Sequence, residues 1–372
     1  MEEISLKVLA LSGSFHPQIG GVELVVQRVG EEMVKRGHEY TVLTLNPGRL
    51  ASEEFLKGIK ITRVRKNPSL TYGINISIWQ KLNEIIDDYD VIHVHGYHSL
   101  LSFETALLCK YMERPFVFSP HYHGISHTPY RDSLVKIYKH FGKYSFQWAN
   151  GIICVSDYEK QLLLSHFRGL DAKIQVIPNG VDQSCVTANR KCLENSNEIN
   201  LLYVGALRRY KGLEFILKSL PILKTKYNLA VKLRVVGKGE DREYFLRLAY
   251  QLKIMDLIEW IDRTSDEELI QYYRSADIFV FLSKAEAYGL VVAEALAQGT
   301  PCIVTNTSAL TEFAAEPGCF AIKYPPDIQE LSQLILRTID ENVQVGPFSR
   351  KVQTWVDIGK TYEQFYSEQI DL

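Results

Sequence analysis

Two carboxylates, Glu286 and Glu294, stand seven intervening residues apart in the run Ser283-Lys-Ala-Glu286-Ala-Tyr-Gly289-Leu-Val-Val-Ala-Glu294-Ala-Leu-Ala-Gln-Gly299-Thr-Pro301. The apolar stretch before it, Ile278-Phe-Val-Phe-Leu282, reads as a buried strand that runs into a loop carrying Glu286. A helix is expected to begin near Gly289; Gly299 supplies its stop, and Pro301 opens the next strand. At such a helix start the free backbone N–H groups of Gly289, Leu290 and Val291, together with the positive dipole end, suit a diphosphate. Glu286 precedes that start and Glu294 lies more than a turn inside it. One carboxylate can therefore reach a sugar hydroxyl while the other accepts from ribose hydroxyls. A bare pair of Glu at this spacing would read as a helix-favouring acid and a solvated side chain. The strand, loop, glycine and helix around it tip the reading towards a site.

A second candidate is Lys211, an exposed loop lysine beside Gly212 at the opening of a helix. A diphosphate leaving group needs a cation where its charge develops, and a lysine so placed can supply it. Gly20-Gly21, after a strand and before a helix, allow a ligand to come close to the backbone. Histidine is concentrated: His93, His95, His98, His121, His123 and His127 make six of the ten. His93 and His95 share one face at a strand's carboxyl end, and Ser119-Pro-His121-Tyr-His123 follows the next strand. They read as the wall of a cleft rather than a metal centre, because no HExxH or closed Cys/His spacing accompanies them. Asp88-Tyr-Asp90 has the form of the DxD of metal-dependent glycosyltransferases of another fold, but its place before a strand marks it as strand entry. No metal and no cofactor is called for.

The elements that must hold these residues alternate short β-branched runs with amphipathic stretches, as parallel sheets of βαβ units do. In the first half, strands are expected near Lys7–Leu11, Tyr40–Leu45, Ile59–Val64, Val91–His95, Pro115–Ser119, Gly151–Val155 and Ile174–Ile177, with helices such as Glu23–Lys35 and Ser99–Met112. A second series runs through Asn200–Val204, Val231–Val236, Leu257–Trp260, Ile278–Phe281, Pro301–Val304 and Gly318–Ala321. Residues 1–184 and 199–355 then form two Rossmann-like domains, with a polar, aperiodic linker at 185–198 and a closing aromatic helix at about 356–372 that crosses back. Two doubly wound sheets imply a ligand cleft facing the carboxyl ends of both sets of strands.

A chain of 372 residues with 46 % hydrophobic and 23 % charged residues is long enough for two such cores. Its net charge of −2 gives no electrostatic case for nucleic acid. No window reaches the ~18 apolar residues of a membrane span, and no signal peptide is indicated. The six cysteines (Cys109, Cys154, Cys185, Cys192, Cys302 and Cys319) lack any CxxC pair and read as reduced, mostly core residues of a cytoplasmic protein. The segment Tyr130–Asn150, with Arg131, Lys136, Lys139 and Lys143, reads foremost as a basic helix packed on its own domain. It could also touch the inner face of a cell membrane, as a lipid-linked acceptor would require.

The element S-x-x-E-x-[FY]-G-L with its E-x7-E resembles the signature of the GT4-type family of retaining glycosyltransferases, which have the GT-B fold. The resemblance covers nearly the whole chain. Phe15-His-Pro-Gln-Ile-Gly20-Gly21-Val-Glu23 is similar to the family's N-terminal glycine loop, and Arg36-Gly37-His38-Glu39 to the turn after its first helix. Val176-Ile-Pro-Asn179-Gly180-Val-Asp182 resembles the run that ends the N-terminal domain. Val204-Gly205-Ala-Leu-Arg208-Arg-Tyr-Lys211-Gly212 resembles the donor-phosphate loop, and Val236-Gly237-Lys238-Gly239 the glycine turn after it.

The resemblance implies a UDP- or GDP-linked sugar as donor and a saccharide or lipid-linked acceptor, with no metal. Donor contacts would come from Gly20, Gly21, Gly205, Arg208, Lys211, Gly237, Lys238, Glu286, Tyr288, Gly289, Leu290, Val291 and Glu294. Glu286, Lys211 and His121 would carry catalysis, with His93, His95 and His123 on the acceptor side. One departure stands out. The family usually has Arg directly after the loop glycine, where this chain has Ala206, so Arg208 is expected to supply the second charge or leave Lys211 alone. That departure favours a rival reading, a non-catalytic nucleotide-sugar-binding partner subunit. A nucleotide-sugar hydrolase or epimerase of the same fold is the other rival.

Overall fold

A computed structural model describes residues 5–18, 20–65, 75–124, 129–182, 198–341, 345 and 353–370. The chain divides into two compact units, Met1–Gly180 with Trp355–Leu372, and Val181–Thr354.

The first unit contains β1 (Lys7–Ser12), α1 (Gly21–Lys35), β2 (Glu39–Asn46), β3 (Glu53–Leu56), β4 (Ile59–Arg65), α2 (Ile76–Ile85), β5 (Val91–His95), α3 (Leu100–Tyr111), β6 (Phe116–Ser119), α4 (Pro129–Trp148), β7 (Gly151–Cys154), α5 (Asp157–His166) and β8 (Ile174–Val176). Its sheet has the order β3-β4-β2-β1-β5-β6-β7-β8. Every recorded pairing is parallel except β3 with β4. Strands β5, β6 and β7 are buried along their whole length, as they must be when helices cover both faces of a parallel sheet. The antiparallel edge strand β3 is absent from the sequence-based expectation, whereas helix α2 fills one of the intervals between strands where a helix is expected. The strand alternates exposed and half-buried positions, and its four residues are too few for periodicity to register.

The last helix, Trp355–Ile370, belongs to the first unit. A Cβ on its Gly359 would lie 2.8 Å from Glu32 of α1, so the two helices touch backbone to side chain. Glu363 on the same helix receives Arg36 at 3.2 Å and His38 Nε2 at 3.0 Å, and Tyr362, Phe365 and Tyr366 are buried.

A two-residue strand β9 (Gly180–Val181) spans the boundary between the units, and the second unit then contains β10 (Glu198–Val204), α6 (Leu213–Thr225), β11 (Ala230–Val236), α7 (Arg242–Gln251), β12 (Ile258–Ile261), α8 (Asp266–Ser275), β13 (Ile278–Phe281), α9 (Leu290–Ala297), β14 (Cys302–Thr305), α10 (Leu310–Phe313), β15 (Cys319–Ile322) and α11 (Ile328–Asp340). Its six-stranded sheet runs β12-β11-β10-β13-β14-β15, parallel throughout. Glu198, expected in the linker, opens β10, and residues 185–197 of that linker lie outside the described residues, as do Cys185, Cys192 and His127. The other four cysteines are buried and free.

Each sheet winds outwards in two directions from its first strand. The strand order reverses between β1 and β5 in the first unit and between β10 and β13 in the second. Loops at the carboxyl ends of such a pair diverge and leave a crevice. The loops that carry Lys211 and Glu286 follow the two strands at the second of these reversals, β10 and β13.

Candidate active site

In the second unit the loop after β10 carries Lys211 and the loop after β13 carries Glu286. The register Leu201↔Ile278 and Leu202↔Phe279 brings the two strand ends level. Lys211 Nζ then donates to Glu286 Oε1 at 2.5 Å. Their side chains are only 16 % and 14 % exposed, so Lys211 is not the exposed lysine expected from its loop position. Burial alone would pull its ammonium down, but Glu286 and Tyr210 outweigh burial and hold its pKa above the ordinary lysine value. It stays charged, and two of its three N–H bonds remain for another acceptor. Phe281 lies 5.5 Å beneath it.

Two glycine backbones are packed too closely here for side chains. Gly212 has φ +80°, and a Cβ there would fall 2.0 Å from the Leu282 carbonyl oxygen. At Gly237 a Cβ would fall 2.1 Å from the carbonyl oxygen of Gly205. The loops after β10 and β11 are further joined by Leu207 N–H donating to Lys238 O at 2.9 Å. Glu286 is fixed by its own N–H donating to Ser308 Oγ at 3.0 Å.

Helix α9 starts at Leu290 with Gly289 as its N-cap in the left-handed region, φ +112°. The first intrahelical donors are Val292 and Ala293, both to the Gly289 carbonyl. Leu290 and Val291 thus present the N–H groups that a helix start leaves without a carbonyl. Glu294, half-buried one turn on, accepts from Tyr273 Oη at 2.8 Å. Nothing in the spacing of residues 273 and 294 announces that contact, and Tyr273, like Ser308, was missed by sequence reasoning.

Three of the expected donor residues have partners of their own within the chain. Tyr288 turns its ring into the core against Phe313, centroids 5.4 Å apart, and burial raises its phenol pKa, so its side chain is a packing element. Arg208 is committed to Glu240 through two hydrogen bonds, one at 2.9 Å. It therefore does not stand free as the replacement for the arginine missing at Ala206. Lys238 is half exposed and pairs with Asp262 at 3.4 Å.

In the first unit, a Cβ on Gly21 would meet nothing within 4 Å, whereas one on Gly20 would collide with the Glu23 carboxylate. Gly21 leaves open space for a ligand; the room at Gly20 is taken by Glu23, which also accepts from Ser14 Oγ. His121 follows β6 with φ +48°, a left-handed conformation that a non-glycine residue keeps only when its surroundings enforce it. Its Nε2 lies 3.3 Å from His95 Nδ1. His123 stacks on His98 with centroids 4.7 Å apart. His93, expected on an acceptor-facing wall, is fully buried. Its two ring nitrogens are occupied by Tyr366 Oη at 2.7 Å and Ser119 Oγ at 2.8 Å, so it belongs to the core. Burial lowers all three of these histidines' pKa values: His93 to about 3, with His121 adding to the effect, His121 to about 4, and His95 well below the usual range. All three are neutral at neutral pH.

Asp90, read as a strand-entry residue, acts as one. Its Oδ2 accepts from Lys7 N–H at 2.7 Å, tying the starts of β5 and β1 together. Of the basic residues in α4, Lys143 lies 5.1 Å over the Tyr144 ring, while the side chains of Arg131, Lys136 and Lys139 lie outside the described residues. No described helix is long and apolar enough to cross a membrane.

The chain resembles known proteins in sequence and in fold. Residues 187–354 match the family profile "Glycosyl transferases group 1", and residues 19–184 match "Glycosyltransferase Family 4". An uncharacterized glycosyltransferase of Methanocaldococcus jannaschii is 29 % identical over 327 residues, covering 82 % of each chain. Among solved structures, sucrose-phosphate synthase from Thermosynechococcus elongatus superposes with a TM-score of 0.78 at 18 % identity, covering 98 % of both chains. Anabaena HepE in complex with UDP and glucose follows at 0.77 and 18 %, covering 97 % of this chain and 99 % of that one. At those identities the likeness shows the fold, which is GT-B. Matched in one unit by the group 1 profile and in the other by the family 4 profile, the chain belongs to the GT4-type family of glycosyltransferases.

Proposed function

We propose that the protein is a retaining, metal-independent transferase. It would move a hexose-type sugar from a UDP- or GDP-linked donor to a hydroxyl of a saccharide or lipid-linked acceptor. The observation that carries the reading is the Lys211–Glu286 pair at 2.5 Å, set where the strand order reverses and beside the glycine-capped start of α9. The diphosphate would lie on the N–H groups of Leu290 and Val291 and on Lys211, and ribose hydroxyls would donate to Glu294. Glu286 would orient the transferred sugar and spread positive charge near its anomeric carbon.

The anomeric C–O bond to the diphosphate breaks, the acceptor oxygen bonds to the same face of that carbon, and its proton passes to the departing phosphate. No enzyme nucleophile is required. Preorganised cations and N–H groups aimed at the leaving group are the main catalytic resource of such a site. The setting would be cytoplasmic, with peripheral contact at the inner face of the membrane through α4 if the acceptor is lipid-linked.

Ala206 and the engagement of Arg208 with Glu240 favour one competing reading, a subunit that binds nucleotide-sugar without transferring it. The deciding experiment is calorimetric binding and nucleotide release over UDP-, GDP- and ADP-sugars, with and without EDTA, on the wild type and Glu286→Ala. One donor that binds and turns over in EDTA, with turnover lost in the variant, supports the proposal. Binding without turnover under every condition would transfer the conclusion to the partner subunit. A strict need for a divalent ion would overturn metal independence.

A further inference from the structure

The neutral histidines of the first unit form a row whose protons can be assigned. His93 has both nitrogens engaged and lies against His95, centroids 3.9 Å apart. His95 in turn meets His121 edge to edge, Nδ1 to Nε2 at 3.3 Å with the planes only 15° apart. Two backbone bonds hold the strand ends that carry them: Gly96 N–H to Ser119 O at 2.9 Å and Tyr97 N–H to Pro120 O at 2.7 Å. The remaining nitrogen of His95, Nε2, is buried and has no hydrogen-bond partner among the described residues.

A hydrogen bond between two neutral imidazoles uses one proton, and each ring has one to place. If His121 donated from Nε2, His95 would accept at Nδ1 and carry its own proton on Nε2. A buried N–H would then face nothing, and orphaned buried donors are among the rarest features of folded proteins. If His95 donates from Nδ1, only a nitrogen lone pair is left without a partner at Nε2, the cheaper of the two outcomes. We infer that His95 is a positioning residue that sets the tautomer of His121, which carries its proton on Nδ1 and meets substrate as a hydrogen-bond donor.

His121 is partly exposed, and its Nδ1 is the nitrogen not taken by His95. In that tautomer it offers no basic nitrogen at Nδ1, so it holds a substrate oxygen by donation and does not take the acceptor's proton. A role in proton removal falls to the departing phosphate instead. Burial of both rings works against the third arrangement, an imidazolium donating in both directions. Only the placing of substrate against His121 depends on the proposed function; the tautomer does not.

Long-range ¹H–¹⁵N correlation of the histidine side chains in the full-length, ligand-free protein at neutral pH reads the tautomer directly. Signals are assigned by their loss in His121→Asn and His95→Asn. The expected result is Nδ1–H on both His95 and His121, against the Nε2–H form that free neutral histidine prefers. An Nε2–H signal for His121 in the wild type overturns the inference, whatever the activity. In His95→Phe, which removes the donor, His121 should revert to Nε2–H, and kcat should fall about tenfold with the lost hydrogen bond to substrate. His95→Asn presents an N–H near the same position and should keep the Nδ1–H form and recover most of the rate. Equal losses in the two variants with the tautomer unchanged would reduce His95 to packing. A protein that transfers no sugar but shows the predicted tautomers would refute the proposed function alone.

Discussion

Lys211→Met is the most informative single change, because the wild-type lysine has two roles that a second substitution can separate. In the folded protein the ammonium and the Glu286 carboxylate sit 2.5 Å apart with 16 % and 14 % of their side chains exposed. Removing one member of a fully buried pair costs about 3–5 kcal/mol, because the remaining charge is left uncompensated. The residual exposure here lets water solvate part of that charge, and a loss of about 2 kcal/mol is expected. For a unit of this size that corresponds to a fall in Tm of about 4–8 °C. Turnover should fall further than stability suggests, by about 10²–10³ in kcat, because a preorganised cation at the leaving group is lost. The double variant Lys211→Met/Glu286→Gln removes the stranded carboxylate and should regain about 1–2 kcal/mol of stability. It should regain no turnover. Thermal unfolding and nucleotide release on the same four proteins complete the cycle. If the double variant returned to within about tenfold of wild-type turnover, the pair would be a structural brace and the assignment of Lys211 to the leaving group would be refuted.

Gly212→Ala should disable donor binding while leaving the first unit's fold intact, since its Cβ would have to displace the Leu282 carbonyl from 2.0 Å at a φ of +80°. A cost of about 1–3 kcal/mol from the backbone conformation alone is expected, and calorimetric titration with the preferred nucleotide checks the lost affinity. Glu240→Gln releases Arg208 from an exposed ion pair, a restraint of about 0.2–1 kcal/mol. Nucleoside diphosphate affinity should rise by up to about fivefold if Arg208 then reaches the phosphates, and an unchanged Kd would place Arg208 outside the site.

Glu159 governs a pH dependence. It is fully buried beneath the His121 loop and accepts from Tyr122 N–H and, at 2.7 Å, from Val155 N–H, while burial pushes its carboxyl up to about 8 against those two donors. Between the unfolded value of 4.5 and about 8 the folded state holds the extra proton, so the contribution of Glu159 to stability should fall as pH rises through that window, while the buried histidines, whose pKa values are lowered, act in the opposite sense below about 6.5. The Tm of the wild type minus that of Glu159→Gln, in which the histidine contributions cancel, should decline across the window; a difference that stays flat would assign the effect to another group.

Much of this architecture is legible in the one-dimensional pattern. Short apolar β-branched runs separated by amphipathic stretches identify most strands to within a residue or two, because burial on both faces of a parallel sheet leaves little freedom in composition. Local backbone demands are equally visible: Gly212 and Gly289 sit where positive φ is needed, and the E-x7-E frame around Gly289 places both carboxylates at one helix start. These features depend on neighbours a few residues away.

What the pattern could not decide is which distant groups meet. Lys211 and Glu286 are 75 positions apart, and their contact exists because the sheet order sets β10 beside β13. The capture of Arg208 by Glu240, 32 positions on, and the hold of Tyr273 on Glu294 follow in the same way from loop packing. His93 and His95 look alike in sequence, both inward on one strand. Both are buried, and what separates them is their partners: the last helix brings Tyr366 from 273 positions away onto His93, whereas His95 meets His121. Alternation along a strand tells which face a side chain takes, whereas its partner, exposure and protonation state depend on chain segments that sequence spacing does not connect.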